Sequence, residues 1–288
     1  RLIASMWKAR QIIRQFGAQA AVGVGGYASG PLLQVANMMG IPTLIQEQNS
    51  YAGLTNKQLG KKAQRVCVAY DHMERFFPAE KIMLTGNPIR RSSVQIEGKR
   101  EEAIHAFGLD LDKKTVLVTG GSLGAKTLND CLTEGLERLL DKNIQIIWQC
   151  GSYYYEKLSE ELKDKLTDSV KLMPFLERMD YAYAAADFIV ARAGAGTISE
   201  LAVVGKPVVL VPSPNVSDDH QTKNALALSE HKAAIMVSDL SARMHLIDEL
   251  MAVIDDEATA YELGERIKEM ALLDADVVIA QEVLKMIK

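Results

Sequence analysis

Arg192-Ala193-Gly194-Ala195-Gly196-Thr197-Ile198-Ser199-Glu200 gathers the residue types best suited to chemistry in this 288-residue chain. It lies between the apolar runs Asp187-Phe-Ile-Val-Ala and Gly205-Lys-Pro-Val-Val-Leu-Val-Pro, and so reads as strand, glycine turn, helix, strand. The first turn of a helix presents backbone N–H groups without partners, and small residues in front let a diphosphate reach them. Glu200, one turn in, is placed to accept hydrogen bonds from ribose or sugar hydroxyls. The same residues also fit a tight turn in which Ser199 and Glu200 are ordinary capping groups.

Two more such turns shift the balance. Gly25-Gly26-Tyr27-Ala28-Ser29-Gly30 follows an apolar run at 20–24 and leads into a helix expected from Pro31, where proline suits a first turn. Gly120-Gly121-Ser122-Leu123-Gly124-Ala125 follows a run at 115–119 and opens a helix over 126–140. Each lies at the carboxyl end of an expected strand, where open α/β sheets bind ligands. The first strand is not followed by GxGxxG with a downstream ribose-binding acid, so the dinucleotide fingerprint is not met. Three strand–glycine–helix turns in two sheets argue for phosphate-bearing ligands in a cleft between domains.

The elements that must position these turns alternate short apolar runs with amphipathic helices, the pattern of parallel sheets with helical crossovers. A first helix is expected over 1–16, and strands at 20–24, 42–46, 65–69 and 81–84. Gly86-Asn87-Pro88 breaks the pattern, and Ile89 to Lys99 is polar and aperiodic, which reads as a linker. Strands near 115–119, 144–149, 169–173, 187–191, 207–211 and 233–237 follow, then a helical stretch over 241–288 broken at Leu273–Asp276. Six strands complete a doubly wound sheet and four leave one incomplete, giving two Rossmann-like parallel-sheet domains, 1–90 and 91–273, the first incomplete.

Composition narrows the partners. A net charge of −4 argues against nucleic acid. Residues 1–70 nevertheless hold Arg1, Lys8, Arg10, Arg14, Lys57, Lys61, Lys62 and Arg65 against the single acid Glu47, a net of +7 that leaves −11 for the rest. This first part is expected to face something anionic. Leu2, Ile3, Met6 and Trp7 share one helical arc beside Lys8, Arg10 and Arg14, which suits an anionic membrane surface; a helix with its apolar face in the core fits equally. Three cysteines, an odd count without a CxxC pair, argue against a disulfide framework or zinc site and fit a reducing compartment. Five histidines show no ligand spacing, and Asp274-Ala275-Asp276 starts a helix, so neither a metal nor a cofactor is expected.

Further stretches complete a pattern: Glu47-Gln48-Asn49, Ala52-Gly53-Leu54-Thr55-Asn56-Lys57, Gly86-Asn87-Pro88-Ile89-Arg90 and Asp218-Asp219-His220-Gln221-Thr222-Lys223-Asn224-Ala225. With the three glycine turns, in this order and spacing, the chain resembles the MurG family of bacterial UDP-N-acetylglucosamine:lipid I transferases over nearly its whole length. The resemblance implies a GT-B fold, with a last helix, about 274–288, returning to the first domain. Ile279, Ala280, Val283, Leu284 and Ile287 supply an apolar face for that helix. It implies inverting transfer of N-acetylglucosamine from UDP-GlcNAc to lipid I, giving lipid II for peptidoglycan. It places the chain peripherally on the cytoplasmic face of the bacterial membrane, with other cell-wall synthesis proteins as partners.

The resemblance also implies residue roles. Asn49, Arg90, Ser122, Leu176, Ala195, Gly196, Thr197, Ile198, Ser199, Glu200 and Gln221 match positions that bind the UDP-sugar. Among them Ser122 and the Thr197–Ser199 turn suit the diphosphate, Glu200 the ribose, the Leu176 backbone the uracil edge and Gln221 the sugar. Arg90 could neutralise the leaving diphosphate, or form only a hinge salt bridge. Gly25, Gly26, Ser29 and Gly30 would face the acceptor's diphosphate. The chain departs from the family in lacking the opening strand and Gly-Gly-Thr-Gly-Gly-His loop, so about three β/α units of the first domain are expected to be missing. Gln46 stands where many members carry a histidine, and glutamine takes no proton near neutral pH. Glu47 and His220 are the candidate bases, though a structural carboxylate also fits Glu47. On this reading the 288 residues bind UDP-GlcNAc and, by themselves, transfer no sugar. Two other readings stay open: a UDP-GlcNAc 2-epimerase of the same fold, and a non-catalytic nucleotide-sugar-binding module.

Overall fold

The structure, a computed structural model, describes residues 2–287. It divides into two compact units, one made of the chain up to Ile89 with the segment from Leu272 onward, the other Arg90–Ala271.

The first unit runs α1 (Leu2–Phe16), β1 (Ala21–Gly23), α2 (Gly26–Met38), β2 (Thr43–Glu47), α3 (Leu54–Gly60), β3 (Arg65–Val68) and β4 (Ile82–Leu84). Its four strands pair in parallel in the order β1-β2-β3-β4, with β1 at an edge. All five residues of β2 are buried. Successive side chains of a strand point to opposite faces, so such a strand must be covered on both. Ile45 joins Leu33 of α2, Leu59 of α3, Val66 and Val68 on one side. Leu44 and Cys67 meet Ala275 and Ile279 of the C-terminal helix (Ala275–Met286) on the other. That helix is tied to β3 by Glu282, whose carboxylate accepts from Arg65 Nε at 3.1 Å and from Lys285 Nζ at 2.5 Å.

The second unit runs α4 (Arg91–Val94), α5 (Arg100–Phe107), β5 (Thr115–Thr119), α6 (Lys126–Asp141), β6 (Gln145–Gln149), α7 (Ser152–Glu161), β7 (Val170–Met173), α8 (Met179–Ala185), β8 (Phe188–Ala191), α9 (Ala195–Val204), β9 (Val208–Leu210), α10 (His220–Ser229), β10 (Ile235–Met236), α11 (Ala242–Asp255) and α12 (Glu257–Glu269). Six parallel strands lie in the order β10-β9-β8-β5-β6-β7, the doubly wound arrangement. Leu128, Leu132, Leu136 and Leu139 of α6 recur at helical spacing and are fully buried in the main core. Two parallel α/β sheets in one chain agree with the GT-B expectation.

Three details differ from the sequence reading. Helix α2 opens at Gly26 and not at Pro31, because Gly25 and Gly26 adopt φ of 90° and 73° and turn the chain at once. Pro31 then falls inside the helix, where it forgoes one bond to the Tyr27 carbonyl. The segment 89–99 is no free linker: it contains α4, buries Val94 and sends Lys99 Nζ to Asp180 Oδ2 at 2.8 Å in the second unit. The last helical stretch breaks a second time at Asp256, whose carboxylate caps α12 by accepting from the Ala258 and Thr259 N–H groups.

The Glu282 tie makes a pH prediction. Its hydrogen bond from Lys285, then that from Arg65, hold the Glu282 carboxyl below its ordinary value. A depressed carboxyl stabilises the fold above the unfolded value, about 4.3, and loses that contribution as pH falls through the folded one. The protection factors of the amides in Ala275–Met286, which are exchange rates relative to the intrinsic rate at each pH, should therefore fall below about pH 4.3 ahead of those in α6, and Glu282→Gln should remove that difference.

Candidate functional site

A cleft of about 440 Å³ opens at the carboxyl ends of β5, β8, β9 and β10 in the second unit. The strand order explains its place. From β5 the chain continues through β6 and β7 on one side, then returns to β8 on the other. The loops after β5 and β8 therefore diverge and leave a crevice, the switch point of a doubly wound sheet. Gly120–Thr127 forms one wall, Arg192, Gly194 and Thr197 a second, and Ser213, Asn215 and Gln221 a third.

The Gly120–Ala125 turn is built by backbone contact. Gly124 has φ +74°, and a β-carbon there would lie 2.0 Å from the Cys150 carbonyl oxygen. Gly151 faces it with φ +90° and would meet the Leu123 carbonyl oxygen at 2.4 Å. Only glycine at both positions lets the β5 and β6 loops close on each other. Helix α6 then starts at Lys126 with its N-terminus in the cleft wall.

On the opposite wall α9 starts at Ala195 with Gly194 extended in front. The Ile198 N–H closes the first helical bond, onto the Gly194 carbonyl at 2.9 Å. The Gly196 and Thr197 N–H groups precede that bond and have no acceptor within the helix. The Ile198 side chain is buried in the core, and the Ser199 hydroxyl donates to the Ala195 carbonyl at 3.0 Å, so these two positions meet the cleft through the backbone of the first turn and the Ser199 lone pairs. Glu200 lies three residues beyond Thr197, on the same face of the helix. Its Oε2 accepts from the Tyr183 hydroxyl at 2.9 Å. Burial pushes its carboxyl up, opposed by that bond and by the charge of Arg90.

Gln221 is in the cleft, with Oε1 accepting from the Ser213 N–H at 2.8 Å and the amide Nε2 left to donate. Its neighbour His220 has Nε2 at 3.8 Å from Asp218 Oδ2, while Nδ1 is enclosed with no hydrogen-bond partner among the described residues. Ser122 is exposed at the rim. Leu176 is buried, in the loop between β7 and α8. Arg90 is exposed at the start of the second unit.

In the first unit, Gly25, Gly26, Ser29 and Gly30 form the turn and first residues of α2. The Ser29 hydroxyl donates to the Gly25 carbonyl at 2.6 Å. Glu47 is buried, and its carboxylate takes four donors: the Asn49 and Gly53 N–H groups and the Asn49 and Asn56 side-chain amides. That geometry corrects its candidacy as a base, since every lone pair faces a donor of its own loop. Asn49 spends its own donors on it. In α1, Leu2, Ile3 and Trp7 are exposed, while Met6 is half-buried with Ala9 and Ile13 against Val35 and Ala36 of α2. Met6 thus leaves the expected outward arc for the core.

The sequence reading omitted Tyr154, Arg192 and Asp239 as cleft residues. Arg192 Nη1 donates to Asp239 Oδ1 at 2.5 Å and to the Val211 and Pro212 carbonyls, and the Thr127 hydroxyl donates to Asp239 Oδ2. This half-buried pair joins the ends of β8 and β9 to the start of α6. Tyr154 follows Cys150-Gly151-Ser152, a fourth strand–glycine–helix junction that signals it as clearly as the other three. Replacing Gly124 with Val should cost on the order of 3 kcal/mol or more of stability in that unit, from the φ and the clash together. Thermal unfolding checks it.

Residues 115–279 match the glycosyltransferase family 28 C-terminal domain, and residues 1–68 its N-terminal domain. A Bacteroides fragilis protein named UDP-N-acetylglucosamine–N-acetylmuramyl-(pentapeptide) pyrophosphoryl-undecaprenol N-acetylglucosamine transferase is 53% identical over 288 residues, 99% of this chain and 76% of that one. Its namesake in Bacteroides thetaiotaomicron is 52% identical, over 99% of this chain and 77% of the other. The crystal structure of Acinetobacter baumannii MurG superposes with a TM-score of 0.81 at 31% identity, covering 99% of this chain and 80% of its own. A UDP-GlcNAc 2-epimerase from Neisseria meningitidis, at 14% identity and a TM-score of 0.70 over 99% of this chain and 81% of its own, shares the fold. At this identity and coverage the chain belongs to glycosyltransferase family 28, in the MurG group of N-acetylglucosamine transferases.

Proposed function

We propose that this protein transfers N-acetylglucosamine from UDP-GlcNAc to lipid I, with inversion, to form lipid II for peptidoglycan. The observation that carries the reading is the switch-point cleft, walled by two helix N-termini, in a chain 53% identical to transferases of that name. Such a transfer must hold the donor, absorb negative charge on the departing diphosphate and receive the acceptor's hydroxyl proton. The N-terminus of α9 at Gly196 and Thr197, and the Gly121–Lys126 turn with Ser122, supply N–H groups and helix dipoles for the diphosphate. Arg90 adds positive charge near Glu200, and Glu200 accepts from the ribose hydroxyls. The Leu176 backbone reads the uracil edge, and Gln221 Nε2 holds the sugar. The four donors on Glu47 support reading it as the structural carboxylate of its loop.

The epimerase reading gives way to the transferase one: the epimerase shares 14% identity where the transferases share 53%. With the protein, radiolabel should pass from UDP-GlcNAc to lipid I with release of UDP. Conversion of UDP-GlcNAc to its 2-epimer without lipid-linked label would overturn the proposal.

The acceptor reading places the lipid's diphosphate at the Gly25–Gly30 turn and the protein peripherally on the cytoplasmic face of the membrane. No helix of the described residues is long and apolar enough to cross a bilayer. Leu2, Ile3 and Trp7 form the apolar contact, flanked by Lys8, Arg10 and Arg14. Each basic group contributes about 1 kcal/mol near an anionic surface.

Glu200→Ala should weaken UDP-GlcNAc binding by about 1–3 kcal/mol, through loss of a charged acceptor for ribose; unchanged affinity in calorimetry removes Glu200 from the site. Sedimentation with anionic vesicles should fall with added salt and with the double change Ile3→Glu, Trp7→Glu. Equal sedimentation of parent and double variant at low salt rules out α1 as the membrane contact.

A further inference from the structure

Tyr183 is one of the largest side chains enclosed in the second unit, with 1% of its surface exposed. A phenol buried to that degree needs a partner for its hydroxyl. The partner is Glu200 Oε2, at 2.9 Å, and no hydrogen bond to Glu200 Oε1 is made among the described residues. The ring belongs to α8 and the carboxylate to α9, the two helices that flank β8 in the chain. The core packing that fixes the ring therefore fixes the direction of the carboxylate.

We propose that Tyr183 is a positioning residue for the nucleotide: held in the core, its hydroxyl occupies one oxygen of Glu200 and so aims the other at the ribose hydroxyls. The inference rests on the reading of Glu200 as the ribose acceptor. Without the phenol, the Glu200 side chain turns freely about its own bonds, and that freedom must be lost again each time nucleotide binds. The titratable and charged groups acting on Glu200 are Tyr183 from α8 and Arg90 from the start of the unit. Both favour the ionised carboxylate against its burial, and the ionised form is the one that accepts from two hydroxyls.

The test compares UDP with 2′,3′-dideoxy-UDP, which lacks both ribose hydroxyls, by calorimetry on the 288-residue chain. The parent should prefer UDP by on the order of 10-fold or more. Glu200→Ala should erase the preference. Tyr183→Phe should cut it to within about 3-fold while leaving the dideoxy affinity and the melting temperature near the parent's. If Glu200→Ala keeps the preference, the ribose reading of Glu200 falls and this inference with it. If Glu200→Ala erases it and Tyr183→Phe keeps it, Glu200 stands and Tyr183 is no positioning residue. Equal weakening of both ligands in Tyr183→Phe also overturns the proposal, because it marks a general packing defect. Incorporation of 3-fluorotyrosine at position 183 keeps the ring and strengthens the donor. It should move the acid limb of the UDP-to-dideoxy ratio to lower pH, and a limb that stays in place contradicts the proposal independently of the Phe variant.

Discussion

Strands β5 and β8 are hydrogen-bonded neighbours, yet the chain leaves them toward opposite sides of the sheet. Everything at the candidate site depends on that reversal. Parallel strands put all their carboxyl ends on one edge, and right-handed crossovers send each following helix to a face set by the direction of travel. Where the direction changes, adjacent loops part and two helices point their N-termini into the same gap. Here those helices are α6 and α9, preceded by Gly120–Ala125 and by Ala193-Gly194. Glycine is required where the loops must pack tightly: Gly124 and Gly151 bring the turns after β5 and β6 into backbone contact, which leaves no room for a side chain.

The charge in the cleft wall has a second constraint. Arg192 is largely buried, and a buried guanidinium needs a counter-charge. Asp239 supplies it, and the Val211 and Pro212 carbonyls take the same Nη1. Arg192 thus works as a brace across the ends of β8, β9 and α6. The N-termini of α6 and α9 present backbone N–H groups at that wall, held in place by the helices. Glu200 stands beside them as a carboxylate kept by a buried phenol. The first unit repeats the principle with Glu47, whose four donors turn a buried carboxylate into the knot of the Asn49–Asn56 loop.

Much of this was legible in the residues, because strand–glycine–helix turns have a strong local signature. The turns at Gly120 and Gly194 fall in the cleft, and both sheets are parallel as the alternation required. The less visible parts depend on distant partners. Asp239 is far in sequence from Arg192, and Tyr183 reads as one more apolar position until its hydroxyl is seen against Glu200. Pro31 is the stronger local signal for the start of α2, yet the positive φ of Gly25 and Gly26 begins the helix sooner.

The central claim is that nucleotide diphosphate binds where the β5 and β8 loops part. An amide chemical-shift titration of the chain with UDP tests it most directly. The account predicts that the N–H signals of Gly121–Lys126 and of Gly196 and Thr197 move together with one dissociation constant. Those of Asp112–Lys114, at the opposite end of β5, should stay in place. Shifts that spare both helix N-termini would contradict the account.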